Sequence, residues 1–312
     1  MKYFESLEEI KDIEETVVAL GNFDGVHKGH QELIRRAVNS AISANLKSAV
    51  FTFSNHPKNV LAKKTVVKNI LYWDEKYEIL KNLGVDYLVS IPFDEEIQTM
   101  EPERFIKELL VKSLRMKEAY CGFNYRFGYK GEGNPEILMK VGMAEGFGIH
   151  VLEPYMVLGQ VVSSTLIRNY IANGEVDKCL SLMGHYYSIR GKVVVGNRLG
   201  RSIGYPTSNI IFDEEMVSPA NGVYITYCSY NGIKYPSITN VGTKPTVGNA
   251  GRRNVETHIF SFNKDIYGRE IKVEFVKKIR DEMKFDDIEA LSKQIKMDCL
   301  TAATYHGIIN RQ

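Results

Sequence analysis

The feature that most constrains this 312-residue chain is a change of hydrophobic period near residue 185. From Thr16 to about Gly146, short apolar runs alternate with stretches of helical period. "TVVALGNF" precedes "HQELIRRAVNSAIS" and "SAVFTF", and the alternation continues through "DEKYEILKNLG", "DYLVSI", "PERFIKELLVKSL", "EAYCGF", "NPEILMKVGMAEGFG" and "HVLEPY". Strands separated by helix-length segments need crossovers, so this part is expected to form an α/β domain whose parallel sheet is covered on both faces. In its first helix Leu33, Ile34, Ala37, Val38, Ala41 and Ile42 recur at helical spacing and are expected to bury one stripe. After "SSTLIRNYIANGEVDKCLSLMG", read as helical, the period changes to two in "YSIRGKVVV", "GVYITYCSY", "IKYPSITNVG", "ETHIFSF" and "EIKVEFVKKI". "YNGI" is a tight-hairpin signal, and the texture implies an antiparallel barrel or sandwich. A last helix from about Asp287 would lay Ile288, Leu291 and Ile295 against it. The division expected is residues 1–184 and 185–312, closely joined, because no repeat, low-complexity tract or long linker intervenes.

Charge excludes some partners. Lys and Arg number 40 against 38 Asp and Glu, a formal net charge of +2, which carries no global signal for nucleic acid or membrane. Cys121, Cys179, Cys228 and Cys299 form no CxxC pair, which argues against a zinc knuckle or disulfide framework and for thiols in a reducing compartment. "MKYFESLEEIKDIEE" is too acidic and broken for a signal peptide, and no apolar run is long enough to span a bilayer. A cytoplasmic protein is expected.

The run "GNFDGVHKGH" joins an expected strand to an expected helix, the layout in which ligands collect at the C-terminal edge of a parallel sheet. Gly21, Gly25 and Gly29 allow sharp turns, the helix N-terminus attracts anions, and His27 and His30 would face the same side. Imidazoles there suit phosphate. Zinc ligation and packing are the competing readings; against zinc, no third ligand stands nearby and the HExxH order is absent.

"GNFDGVHKGH" resembles the HxGH signature of the nucleotidyltransferase superfamily, and its "FDGVHxGHQ" form resembles the N-terminal module of bacterial riboflavin kinase/FAD synthetases. "VSSTLIR", Val162 to Arg168, is similar to that family's "ISSTxIR". The resemblance implies a Rossmann-like nucleotidyltransferase domain in which Gly21, Phe23, Asp24, Gly29, Ser163, Ser164 and Thr165 bind nucleotide and His27, His30 and Arg168 act on the phosphates. Hydroxyls at a helix start and an arginine one turn later suit phosphate oxygens, although "SST" alone is more often a helix cap. "FTFSNHP" is similar to the family's "TFxPHP", with Asn55 replacing a proline, and "CGFNYRFG" to its "GxxxxFG". These assign His56, Asn124 and Phe127 to the flavin, with loop packing the alternative for Phe123, Tyr125 and Phe127.

"GRSIGYPTSN" is similar to the "GRxLGFPTAN" motif of riboflavin kinases, with Ser208 in place of alanine, and "ETHIFSFNKDIYGREI" to "ETHIxxFxxDxYG". The resemblance implies a Greek-key β-barrel with a C-terminal helix. In it Thr207 and Asn209 bind magnesium carried by ATP, Arg198, Gly204 and Pro206 line the nucleotide, Glu256 is the general base, and Arg280 and Phe285 lie near the flavin. A hydroxyl and an amide oxygen are hard ligands suited to magnesium, and a carboxylate in reach of a hydroxyl suits proton abstraction. Arg280 and Lys284 as solvated rim charges remain an alternative.

The expected activity is phosphorylation of riboflavin to FMN, then adenylylation of FMN to FAD with release of pyrophosphate. ATP and Mg2+ are required, flavins are substrates and products, and neither nucleic acid nor membrane is a partner. Two competitors stay open: a nucleotidyltransferase for another acceptor carrying a non-catalytic binding barrel, and a chain in which only one half-reaction survives.

Overall fold

The computed structural model describes residues 1–196, 200, 204–243 and 253–309. Two compact units divide the chain, Met1–Ser164 and Thr165–Gln312.

The first unit contains, in chain order, β1 (Lys2–Phe4), β2 (Thr16–Leu20), α1 (Lys28–Ala44), β3 (Lys47–Phe53), α2 (Pro57–Ala62), α3 (Trp73–Asn82) and β4 (Tyr87–Ile91). It continues through α4 (Glu95–Thr99), α5 (Pro102–Arg104), β5 (Met116–Gly122), α6 (Pro135–Glu145), β6 (Gly148–Leu152) and the small hairpin β7 (Met156–Val157) and β8 (Gln160–Val161). Past α5 the helix widens to π geometry over Phe105–Ser113. Six strands form one parallel sheet in the order β1-β4-β3-β2-β5-β6. β2 is buried at every residue, because alternate side chains enter the two cores on opposite faces. Val18 and Leu20 pack with Phe51, Phe105 and Leu138. Val17 and Ala19 pack with Leu33, Ile34 and Ala37 of α1.

The stripe expected on α1 is narrower than its sequence implies. Leu33, Ile34, Ala37, Val38 and Ala41 are buried, but Ile42 is 72% exposed. Each residue turns the helix by about 100°, so the position after Ala41 has rotated past the sheet.

α7 starts at the boundary, Ser164–Ala172, and is followed in the second unit by α8 (Asp177–Met183). β9 (Tyr187–Val194), β10 (Ser208–Ile211), β11 (Gly222–Tyr230), β12 (Ile233–Thr243), β13 (Arg253–Ile259) and β14 (Glu270–Arg280) then close a barrel in the order β10-β13-β12-β11-β14-β9. β11, β12 and β13 are consecutive antiparallel neighbours, and β14 returns beside β11, which is Greek-key topology. "YNGI" makes the turn it signals: Tyr230 pairs with Ile233 across Asn231 and Gly232, both at positive φ, 50° and 76°. The interior is partly polar. Thr226 hydrogen-bonds Ser237 and Thr239 at 2.8 Å each, and Thr239 reaches Thr257 at 2.9 Å, so each hydroxyl is satisfied without water.

The last helix, α9 (Ile288–Tyr305), packs on the outside of β11 and β12. Its inward face is Ile295, Asp298, Cys299 and Ala302, whereas Ile288, expected on that face, is 62% exposed. The buried Asp298 carboxylate takes a bidentate pair from Arg280 of β14, Nε donating to Oδ1 at 3.1 Å and Nη2 to Oδ2 at 2.8 Å, which fixes the helix rotation.

Candidate active sites

In the first unit, β2 ends at Leu20 and the chain turns through three residues at positive φ, Phe23 (49°), Gly25 (75°) and Val26 (33°), before α1. His27 caps that helix. Its Nδ1 accepts the His30 amide at 3.2 Å, so the neutral ring carries its proton on Nε2. The His27 and His30 rings stack with centroids 3.5 Å apart and planes 17° apart. Gly29 lets them meet, because a Cβ there would lie 3.3 Å from the His27 ring and 3.2 Å from the Tyr155 Cβ. Burial pushes the His27 imidazolium down to about 4. Burial, the neighbouring His27 and the Lys76 ammonium hold His30 well below the ordinary histidine value. Both rings are therefore neutral at pH 7, and the His30 Nδ1 is enclosed with no hydrogen-bond partner among the described residues. His27 and His30 belong to no cluster of three or more His, Cys, Asp or Glu able to hold a metal among those residues, which disfavours the zinc reading.

The Ser164 hydroxyl donates to the Asp24 carbonyl at 2.9 Å, joining two motifs that are distant in sequence. Asp24 Oδ1 accepts the Ile70 amide at 3.1 Å. Ser163 is half-buried, while Thr165 and Arg168 follow on α7 in the second unit. Phe23, expected at the nucleotide, is fully buried in the core, its ring centroid 5.3 Å from that of His30 and the planes 76° apart, so it packs against that imidazole. Phe127, expected at the flavin, is also a core side chain, set between Phe105 and Tyr125. Phe123 is the exposed ring of that run, at 48%. Asn124 is exposed beside Gly122. His56 caps α2 through Nδ1, and Asn55, in the place of the family's proline, accepts the Phe93 amide at 2.7 Å.

In the barrel, β10 and β13 bring Asn209 directly opposite Glu256. Asn254, two residues from Glu256 and on the same face of β13, donates one amide group to both, at 3.2 Å to Asn209 Oδ1 and 2.6 Å to Glu256 Oε1. No motif marked Asn254; the period-two spacing to Glu256 was the available signal. Asn209 is 5% exposed, and Gly196 permits its position, because a Cβ there would fall 2.5 Å from the Asn209 amide nitrogen. The His258 ring nitrogen Nδ1 contacts the Pro206 carbonyl at 2.8 Å, bracing the turn before Thr207. Thr207 is half-buried, and Ser208 pairs with Thr257 on the opposite face from Asn209. Gly204 and Pro206 are exposed. Arg198 lies outside the described residues. Arg280 is bound to Asp298, with Phe285 5.9 Å from its guanidinium carbon, so it is not a solvated rim charge. No helix among the described residues is long and apolar enough to cross a membrane.

Two family models match successive parts of the chain. Residues 9–166 match the FAD synthetase family, and residues 183–306 match the riboflavin kinase family. The bifunctional riboflavin kinase/FMN adenylyltransferase of Escherichia coli strain K12 is 37% identical over 293 residues, 94% of this chain and 93% of its own. The protein of the same name from Bacillus subtilis strain 168 is 34% identical over 299 residues, 95% and 94% of the two chains. A crystal structure of a Streptococcus pneumoniae protein, described as a macrolide-efflux protein, has a TM-score of 0.87 at 32% identity and covers 96% of this chain and 97% of its own. With an FAD synthetase domain followed by a riboflavin kinase domain along nearly its whole length, the chain belongs to the bifunctional riboflavin kinase/FMN adenylyltransferase family.

Proposed function

We propose that the barrel transfers the γ-phosphoryl group of ATP to the ribityl hydroxyl of riboflavin, giving FMN, and that the first domain transfers the adenylyl group of a second ATP to the FMN phosphate. The products of the second step are FAD and pyrophosphate. The observation that carries this reading is the Asn209–Glu256 pair on adjacent strands, tied by one amide. A passive binding barrel has no need to hold a carboxylate against a metal-type ligand. Glu256 takes the hydroxyl proton as the oxygen attacks phosphorus. The donor set fits a hard cation: the Asn209 oxygen, after accepting from Asn254, retains a second lone pair. Thr207 and Asn209 would hold magnesium carried by ATP, which would draw charge from the phosphate oxygens. Gly204 and Pro206 border the nucleotide, and Phe285 the flavin; the ion pair to Asp298 gives Arg280 a supporting role beside it.

Adenylyl transfer needs no protein nucleophile, because the acceptor is already an anionic phosphate. Positioning and charge stabilisation are the protein's contribution. The His27 Nε2–H is a donor for phosphate oxygen, and His30 can take up a proton once polyphosphate supplies the compensating charge. Gly21, Asp24, Gly29, Ser163, Ser164 and Thr165 line the nucleotide, Arg168 offers a fork of donors to its phosphates, and His56 and Asn124 face the flavin. The catalytic division is set at residues 1–184 and 185–312, close to the start of the riboflavin kinase match at residue 183 rather than at the Ser164/Thr165 division of the compact units. The enzyme works in the cytoplasm with neither nucleic acid nor membrane as partner, a reading that rests on the near-balanced charge and four free cysteines. The test is to give the purified protein riboflavin, ATP and magnesium and resolve flavins over time. FMN should appear first and FAD after it; absence of both products overturns the reading.

A further inference from the structure

Lys76 belongs to no motif, yet α3 buries it to 8% exposure. Its Nζ donates to the Asn22 carbonyl at 2.8 Å and to Thr52 Oγ1 at 3.2 Å, and lies 5.3 Å from the Trp73 ring centroid. These partners are neutral oxygens and a π face. A buried ammonium without a directly bonded carboxylate costs several kcal/mol, which makes the site receptive to an arriving anion. The place is specific: Asn22 opens the positive-φ turn that ends at His27. That turn is fastened at each step. Lys76 and Thr52 both hold the Asn22 carbonyl, the Ile70 amide holds Asp24 Oδ1, Ser164 holds the Asp24 carbonyl, and Gln31 holds the Val26 carbonyl at 2.8 Å.

We infer that Lys76 is a positioning residue for adenylyl transfer, holding the Gly21–Val26 turn through the Asn22 carbonyl and supplying a buried positive charge that the bound phosphates neutralise. The inference rests on the proposed function of the first domain. The ionisable groups that face Lys76 are Asp24 on the turn, whose charge favours the ammonium, and His30 on α1, whose protonation the ammonium opposes, with His27 stacked behind it. Burial pushes the Lys76 ammonium down to about 8, the Asp24 charge partly opposing this. The turn therefore loses its charge-assisted bond as pH rises through that value.

Initial rates of FAD formation at sub-saturating FMN and ATP, where the free enzyme's ionisations are read, measured between about pH 6.5 and about pH 9.5, test this in the wild type, Lys76→Met and Lys76→Arg. Riboflavin phosphorylation by the same samples is the internal control. Lys76→Met should slow FAD formation by about tenfold to about a hundredfold, the range for a hydrogen bond to a charged group, and leave phosphorylation unchanged. The wild-type rate should fall above about pH 8, and Lys76→Arg, which stays charged, should carry its plateau to higher pH. A Lys76→Met rate equal to wild type overturns the inference. So does an alkaline fall that Lys76→Arg does not move, a result that stands even where Lys76→Met misfolds and loses both activities. If the wild type makes FMN but converts none of it to FAD, the assignment of the first domain fails, and the role of Lys76 with it.

Discussion

At the proposed first-domain site the candidate groups are nitrogens whose charge is held back by burial: two stacked neutral imidazoles, with a lysine beneath the turn that leads to them. At the barrel site they are oxygens, Asn209 and Glu256, held together by the donor hydrogens of Asn254. On the proposed reading, the difference follows from what each reaction lacks. An FMN phosphate is already a nucleophile and needs its repulsion from ATP relieved, so unprotonated histidines that can accept charge when phosphate arrives are suited to it. A ribityl hydroxyl must lose a proton, so the barrel supplies a carboxylate.

The sharpest break between the two sites should come from Glu256→Gln, which removes the proposed general base and should slow FMN formation by about a thousandfold while sparing conversion of supplied FMN to FAD. Product-resolved initial rates measure both. Next in size is Asp298→Ala. It leaves the Arg280 guanidinium, 17% exposed, without its partner and should destabilise the barrel by about 3 kcal/mol. On heating, kinase activity should disappear well before adenylyl transfer. His30→Ala should reduce FAD formation by about a hundredfold and let FMN accumulate; unimpaired FAD synthesis would remove that histidine from the mechanism. A smaller loss, about tenfold in kinase kcat, is expected for Asn254→Ala, from one hydrogen bond to a charged group.

The smallest effect is in stability. The unfolded chain protonates its histidines near 6.5, whereas folded His27 waits until about 4 and His30 lies well below its ordinary value. Between these values the unfolded state binds more protons, so the histidine contribution to first-domain stability is constant above about pH 6.5 and declines as pH falls toward 4. Urea unfolding followed by fluorescence of Trp73, the chain's one tryptophan, reports this domain. Replacing both histidines with glutamine should flatten the slope.

What could be read from residues was what depends on short stretches. Period two and the "YNGI" turn gave the barrel hairpin, and "TVVAL" gave a strand buried on both faces. The spacing of His27 and His30 placed both on one side. What could not be read depends on tertiary partners. Ile42 and Ile288 have the right spacing and are exposed, because the width of the opposing surface decides where a stripe ends. Arg280 could be a rim charge or a ligand until Asp298, far along the chain, claimed it. The neutral state of the histidines comes from burial and mutual stacking, which no spacing encodes. Asn254 and Lys76 lie outside recognisable motifs and gain meaning from strand register and helix placement.

The proposed function puts two separately acting sites on one chain. The most direct measurement mixes Glu256→Gln and His30→Ala proteins in equal amounts and follows FAD after addition of riboflavin, ATP and magnesium. Each variant alone should make almost no FAD from riboflavin, while the mixture should make it after an initial rise in FMN, because each protein supplies the step the other lacks. A mixture that makes no more FAD than either variant alone would contradict the claim.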